Sequence, residues 1–128
     1  GKIAVYDKDG NCIQYITSAP LTTNTPQSIA YHSASNKLIV GFIGNHAIYS
    51  MNLDGTSPQQ IFLNAAIINT PRAIATDKDG YIYVSSAGTD TIEKLYYDGG
   101  LSATRALPGP LIGPSITSQN ATSVMVIQ

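Results

Sequence analysis

A histidine and an aspartate stand at matching places in this chain: Gly44-Asn45-His46 and Gly88-Thr89-Asp90 are 44 residues apart. An imidazole facing a carboxylate is the pairing that acid–base catalysis or a metal ligand set needs. Three further polar residues follow prolines directly: Gln27 after Pro26, Arg72 after Pro71 and Ser115 after Pro114. A guanidinium at such a position would favour an anionic ligand through paired hydrogen bonds. Each candidate also has a bland reading, since polar loop tips commonly face water and a loop arginine commonly bonds nearby carbonyls. Gln27, Asn45, His46, Arg72, Thr89, Asp90 and Ser115 are therefore expected to contact a ligand, with no catalytic residue assigned.

Other chemistries have less behind them. Asp7-Lys-Asp-Gly10 and Asp77-Lys-Asp-Gly80 resemble the start of a calcium loop but lack its downstream bidentate glutamate, so they read as turns. No Gly-Xaa-Ser-Xaa-Gly elbow, phosphate loop or Cys–His pair is present. Cys12 reads as a small, semi-buried thiol beside a turn, and His32 as a surface or turn residue. No metal and no cofactor are expected.

Composition narrows the setting. Seven Lys+Arg against eight Asp+Glu leave a net charge of −1, with 12% charged residues. Nucleic acid and anionic membrane surfaces attract basic patches, so neither is expected as the main partner. No apolar run approaches the roughly 20 residues of a membrane-spanning helix. At 43% hydrophobic, with 8 Tyr and 2 Phe, the 128 residues can build a core. A single cysteine excludes an intrachain disulfide and a multi-cysteine zinc site. The opening glycine reads as a processed or excised chain, and few charges with many Thr, Ser, Asn and Tyr suggest a secreted or periplasmic protein. Asn120-Ala-Thr122 fits the glycosylation sequon but reads first as a polar turn between strands.

The elements that must position these residues recur. Thr25-Pro26 returns as Thr70-Pro71 and Ile29-Ala30 as Ile74-Ala75, both 45 residues on. Val40, Gly44, Ile48 and Asp54-Gly55 return 44 residues on as Val84, Gly88, Ile92 and Asp98-Gly99. Upstream, Ile3, Asp9-Gly10 and Ile16 match Ile48, Asp54-Gly55 and Ile61. Downstream, Pro114, Ile116, Val124 and Val126 repeat Pro71, Ile74, Ile82 and Val84. Within one unit, Ser28–Tyr31, Lys37–Phe42, Ile48–Leu53 and Gln59–Leu63 are β-prone runs, named strands a to d. They are separated by turns at Ser33–Asn36 and Asp54-Gly55, the latter expected to be type I′. No window carries helical periodicity. Four short strands in about 45 residues mark a β-propeller blade.

The stretch Thr70-Pro-Arg-Ala-Ile-Ala-Thr-Asp-Lys-Asp-Gly-Tyr-Ile-Tyr-Val84, with Gly88 and Ile92, resembles the NHL repeat. Gly44-Asn-His-Ala-Ile-Tyr-Ser-Met-Asn-Leu-Asp-Gly-Thr-Ser-Pro58 is similar to the YWTD blade of lipoprotein-receptor propellers. The YWTD tryptophan is missing: the matching positions read Leu38-Ile39-Val40-Gly41 and Ile82-Tyr83-Val84-Ser85. The resemblance covers nearly the whole chain and implies six blades. It implies ligands at an axial mouth lined by strand a and by the d-to-a loops (Thr17–Pro26, Phe62–Pro71, Leu107–Pro114) and b-to-c loops (Phe42–Ala47, Ser86–Thr91). Six-bladed hydrolases hold an axial calcium with several acidic residues, whereas the one glutamate here, Glu93, falls in strand c.

The expected architecture is all-β, with three blade-equivalents per chain: a c–d half (1–24), two full blades (25–69 and 70–113) and an a–b half (114–128). Val124–Ile127 is expected as strand b of the last half. Propellers close with about 4 to 8 blades, and an open arc leaves unpaired sheet edges that must be covered. A homodimer joining complementary halves into a six-bladed ring is expected, the alternative being one half of a longer propeller. The expected function is a non-catalytic binding or scaffold propeller for a protein, peptide or glycan. Two alternatives stay open: a six-bladed lyase or hydrolase, and a structural filament.

Overall fold

The structure, a computed structural model, describes residues 1–106 and 123–127. Ser115, the Leu107–Pro114 loop, the last strand a and the Asn120 sequon lie outside the described residues. Ten strands follow in order: β1 (Ile3–Tyr6), β2 (Cys12–Ile16), β3 (Pro26–His32), β4 (Lys37–Phe42), β5 (Ala47–Met51), β6 (Gln59–Leu63), β7 (Pro71–Thr76), β8 (Tyr81–Ser86), β9 (Thr91–Tyr96) and β10 (Thr104–Arg105). They form an antiparallel pair β1-β2 and two antiparallel four-stranded sheets, β3-β4-β5-β6 and β7-β8-β9-β10. No helix occurs among the described residues, and so none is long and apolar enough to cross a membrane.

The repeat is reproduced strand by strand. Ile29 pairs with Val40 in the first four-stranded sheet, and Ile74 pairs with Val84 in the second. Gly41 faces Ile48 and Ser85 faces Ile92. Both inner strands carry a register shift just after the proline, between Pro26 and Ser28 and between Pro71 and Ala73. The bulged residues are therefore Gln27 and Arg72, at equivalent places in successive sheets.

Alternation along each strand divides the core into two layers. Ile39, Ile48, Ile61, Ile74, Ile82, Val84, Leu95 and Tyr97 pack between the two full sheets. Val40, Phe42 and Met51, on the opposite face, pack with Ile16 and Leu21, backed by Ile3 and Val5 of β1. Each fully buried aliphatic side chain contributes about 1.5–3 kcal/mol of hydrophobic stabilisation. The turn at Asn52–Gly55 is tight against the neighbouring strand: a Cβ on Gly55 would collide with the Ile16 side chain.

Three expectations are corrected. The Asp54-Gly55 turn is not type I′, because only Gly55 has positive φ (86°) and its N–H donates to the Asn52 carbonyl. That geometry is a type I turn closed by a glycine bulge, which lets the Asp54 carboxylate accept from the Thr56 N–H and hydroxyl. His32 is fully buried rather than a surface residue: its ring bonds the Ser35 hydroxyl and the Gly80 carbonyl and packs on Tyr97 at 5.3 Å. Cys12 is exposed rather than semi-buried, because in β2 it faces away from the core layer that Ile16 enters. Val124–Ile127, expected as strand b of the last half-blade, is in no ladder with the described strands of this chain.

Candidate functional site

One end of each sheet gathers its b-to-c and preceding d-to-a loops. Ile43 N–H donates to the Thr25 carbonyl, and the equivalent Ala87 N–H donates to the Thr70 carbonyl. Gly88 N–H also reaches the Asn69 carbonyl, while the Asn69 N–H donates to the Ser86 hydroxyl at 2.8 Å. The loops named by the repeat therefore meet.

The geometry gives several candidates a bracing task. Nδ1 of His46 accepts the Thr70 N–H at 3.0 Å, which joins the b-to-c loop of one sheet to the entry of the next. This bond fixes the lone pair on Nδ1. Thr70 has φ of 56°, costly for a β-branched residue, and its hydroxyl donates to the Asn69 side chain. His46 and Asp90 hold matching left-handed conformations, with φ of 58° and 54°. Asn45 folds back to accept the Ala47 N–H. Thr89 lies between the Ser86 hydroxyl at 2.5 Å and the Thr91 hydroxyl at 2.8 Å. Gln27, Arg72 and Asp90 are exposed. The two Asp-Lys-Asp-Gly turns use their first carboxylates locally: Asp7 accepts from Asp9 and Asn11 N–H, and Asp77 from Asp79 and Tyr81 N–H.

A polar chain was missed in the sequence. From Thr89 it continues through Thr91 to the Glu93 carboxylate at 3.1 Å. Arg105 on β10 completes it, with Nε at 2.9 Å and Nη2 at 2.8 Å from the same Glu93 oxygen. Glu93 is 2% exposed, so its charge is compensated inside the interface between the two full sheets. The available signal was the two-residue spacing of Thr91, Glu93 and Leu95, which puts a carboxylate on the apolar face of β9. Arg105 pairs with Leu95 and reaches Glu93 diagonally.

Comparison with known proteins identifies the architecture. No family model matches the chain, and no curated protein matches it. Among solved structures, a chain of a crystal structure described as a nidogen/laminin complex superposes with a TM-score of 0.63 at 17% identity. The sheets are β-propeller blades. The match covers 80% of this chain and 38% of that one, so the propeller segment here spans well under half of its neighbour's length. At this identity the likeness shows the fold alone. In propeller terms β3–β6 and β7–β10 are full blades with strands a to d, and β1-β2 is a c–d half.

Proposed function

We propose that this chain is a non-catalytic binding or scaffold segment of a β-propeller, presenting the end where its d-to-a and b-to-c loops meet to a protein or peptide. The observation that carries this reading is the repeated bulge. Gln27 and Arg72 are exposed residues held at the same register break in successive innermost strands, so the fold offers polar side chains at a fixed interval. The engagement of His46 with Thr70 supports bracing over acid–base work in that loop. The neighbouring solved structure is described as a complex of nidogen and laminin, which supports a protein partner for this fold. A second copy completing a six-bladed ring would bring another Arg72 to the assembly. Low charge supports a secreted or periplasmic setting.

A peptide of consecutive glutamates, titrated calorimetrically at low salt, tests the site. Arg72→Ala is expected to weaken binding about tenfold, or about 1.4 kcal/mol. Equal affinity for the two proteins would contradict the reading. A divalent-metal-induced rise in melting temperature that His46→Ala abolishes would favour the lyase or hydrolase alternative.

A further inference from the structure

Equivalent residues of the two full blades have unequal surroundings. Ile74 of β7 is 8% exposed, whereas its equivalent Ile29 of β3 is 47% exposed. Both occupy the same register position on strand a. Ile74 is covered because strands a and b of the preceding blade, β3 and β4, pack across it, with Ala30 and Ile39 in the same core layer. Thr76 also donates its hydroxyl to the Tyr31 carbonyl of that preceding strand a. Tyr31, the equivalent of Thr76, is itself 52% exposed. Ahead of Ile29 the described residues offer only β1 and β2, strands c and d.

A groove of about 290 Å³ consequently lies where strands a and b would run, bounded by Lys2, Ile3 and Ala4 on one side and Gln27, Ile29 and Val40 on the other. Its floor holds the Ser28 hydroxyl, buried and without a hydrogen-bond partner. The β1 edge away from β2 has no ladder partner among the described residues. Elsewhere in the chain, Val124–Ile127 is likewise outside any ladder and alternates half-buried with exposed, Met125 at 77% and Ile127 at 86%. This segment repeats the strand-b pattern of β8.

We infer that Val124–Ile127 of a second copy adds as strand b along the free edge of β1 and covers Ile29. This rests on the two-copy ring reading above. The register follows from the full blades, where Leu38 pairs with Met51, Val40 with Tyr49 and Val84 with Glu93. Carried to the half-blade, Val124 faces Tyr6 and Val126 faces Ala4. Met125 then takes the place of Ile39, the residue that shares a core layer with Ile74. Backbone pairing at an open edge supplies affinity, and the Met125–Ile29 contact supplies specificity.

The test combines solution mass with a register-specific cross-link. In a Cys12→Ser background, Ala4→Cys with Val126→Cys is expected to give a covalent dimer on oxidation, since directly opposed strand residues lie within disulfide reach. Met125→Asp and Ile29→Asp, at exposed sites and checked for native circular dichroism, are each expected to weaken self-association at least tenfold. Leu101→Asp, at a residue 77% exposed and outside the groove, is expected to leave it unchanged. A dimer that persists in both groove variants and resists cross-linking would overturn this inference while leaving the two-copy ring standing. A parent protein that stays monomeric at micromolar concentration would overturn both.

Discussion

His46→Ala removes the acceptor that holds the Thr70 N–H, leaving a partly buried donor unpaired beside a strained backbone. The expected cost is about 1–2 kcal/mol in chemical denaturation. The cost should shrink in a Thr70→Gly background, where the left-handed backbone needs no bracing. Asp77 gives a pH signature of opposite logic to a histidine switch. Burial pushes its carboxyl up, but hydrogen bonds from the Tyr81 N–H, the Tyr83 hydroxyl and the Asp79 N–H, with the Lys94 charge, outweigh it and hold it below the ordinary 3.8. A lowered folded-state value means stability present above the unfolded value and lost as pH falls through the folded one. Denaturation midpoints should therefore drop below about pH 3.8, less steeply in Asp77→Asn. An unchanged acid profile in that variant would remove Asp77 from the account. At this scale the sequence was only partly readable. His46 was visible as a matched loop residue, but its bond to a backbone N–H 24 residues away depends on how two blades meet. The burial of His32 likewise depends on Tyr97 and Gly80 of the next blade.

Strands were far more legible than turns. Periodicity and β-branched runs located the β4 and β6 spans to the residue, because alternation records which face is buried. The Asp-Gly pair correctly marked a hairpin but not its type, since Asp-Gly suits both type I′ and a type I turn with a glycine bulge, and only the latter accompanies the Thr56 bonds to Asp54 seen here. The pairing of β9 with β10 carries the least expected feature. Glu93 is charged, 2% exposed and tied to Arg105, so removing one partner strands the other in a poorly solvated interface. Arg105→Ala is expected to cost about 2–4 kcal/mol, and Glu93→Gln with Arg105→Ala together less than the sum of the singles. Strict additivity in urea denaturation would show that the two side chains act independently.

Across the whole molecule, a 45-residue period revealed blades without helices, and the paired registers of Ile29–Val40 and Ile74–Val84 reproduce that period in three dimensions. The strand count already pointed to a complementary half covering the first blade; what it could not show is where that face lies open, which the contrast between Ile29 and Ile74 locates, since their sequences are alike and their neighbours differ. The other end of the arc shows a comparable face. Tyr81 and Tyr96 pack at 5.3 Å with Lys94 over the Tyr81 ring at 4.1 Å, and Tyr96 remains 43% exposed. Blades are stable when both faces are covered, so these end faces are the places where a neighbouring blade would add most. Small-angle X-ray scattering tests closure directly. Two copies in one ring should give twice the 13.5 kDa chain mass and, for a compact body of that size, a radius of gyration near ~18 Å. A particle of 13.5 kDa with a radius near ~14 Å, or one that grows without limit as concentration rises, would contradict the closed ring.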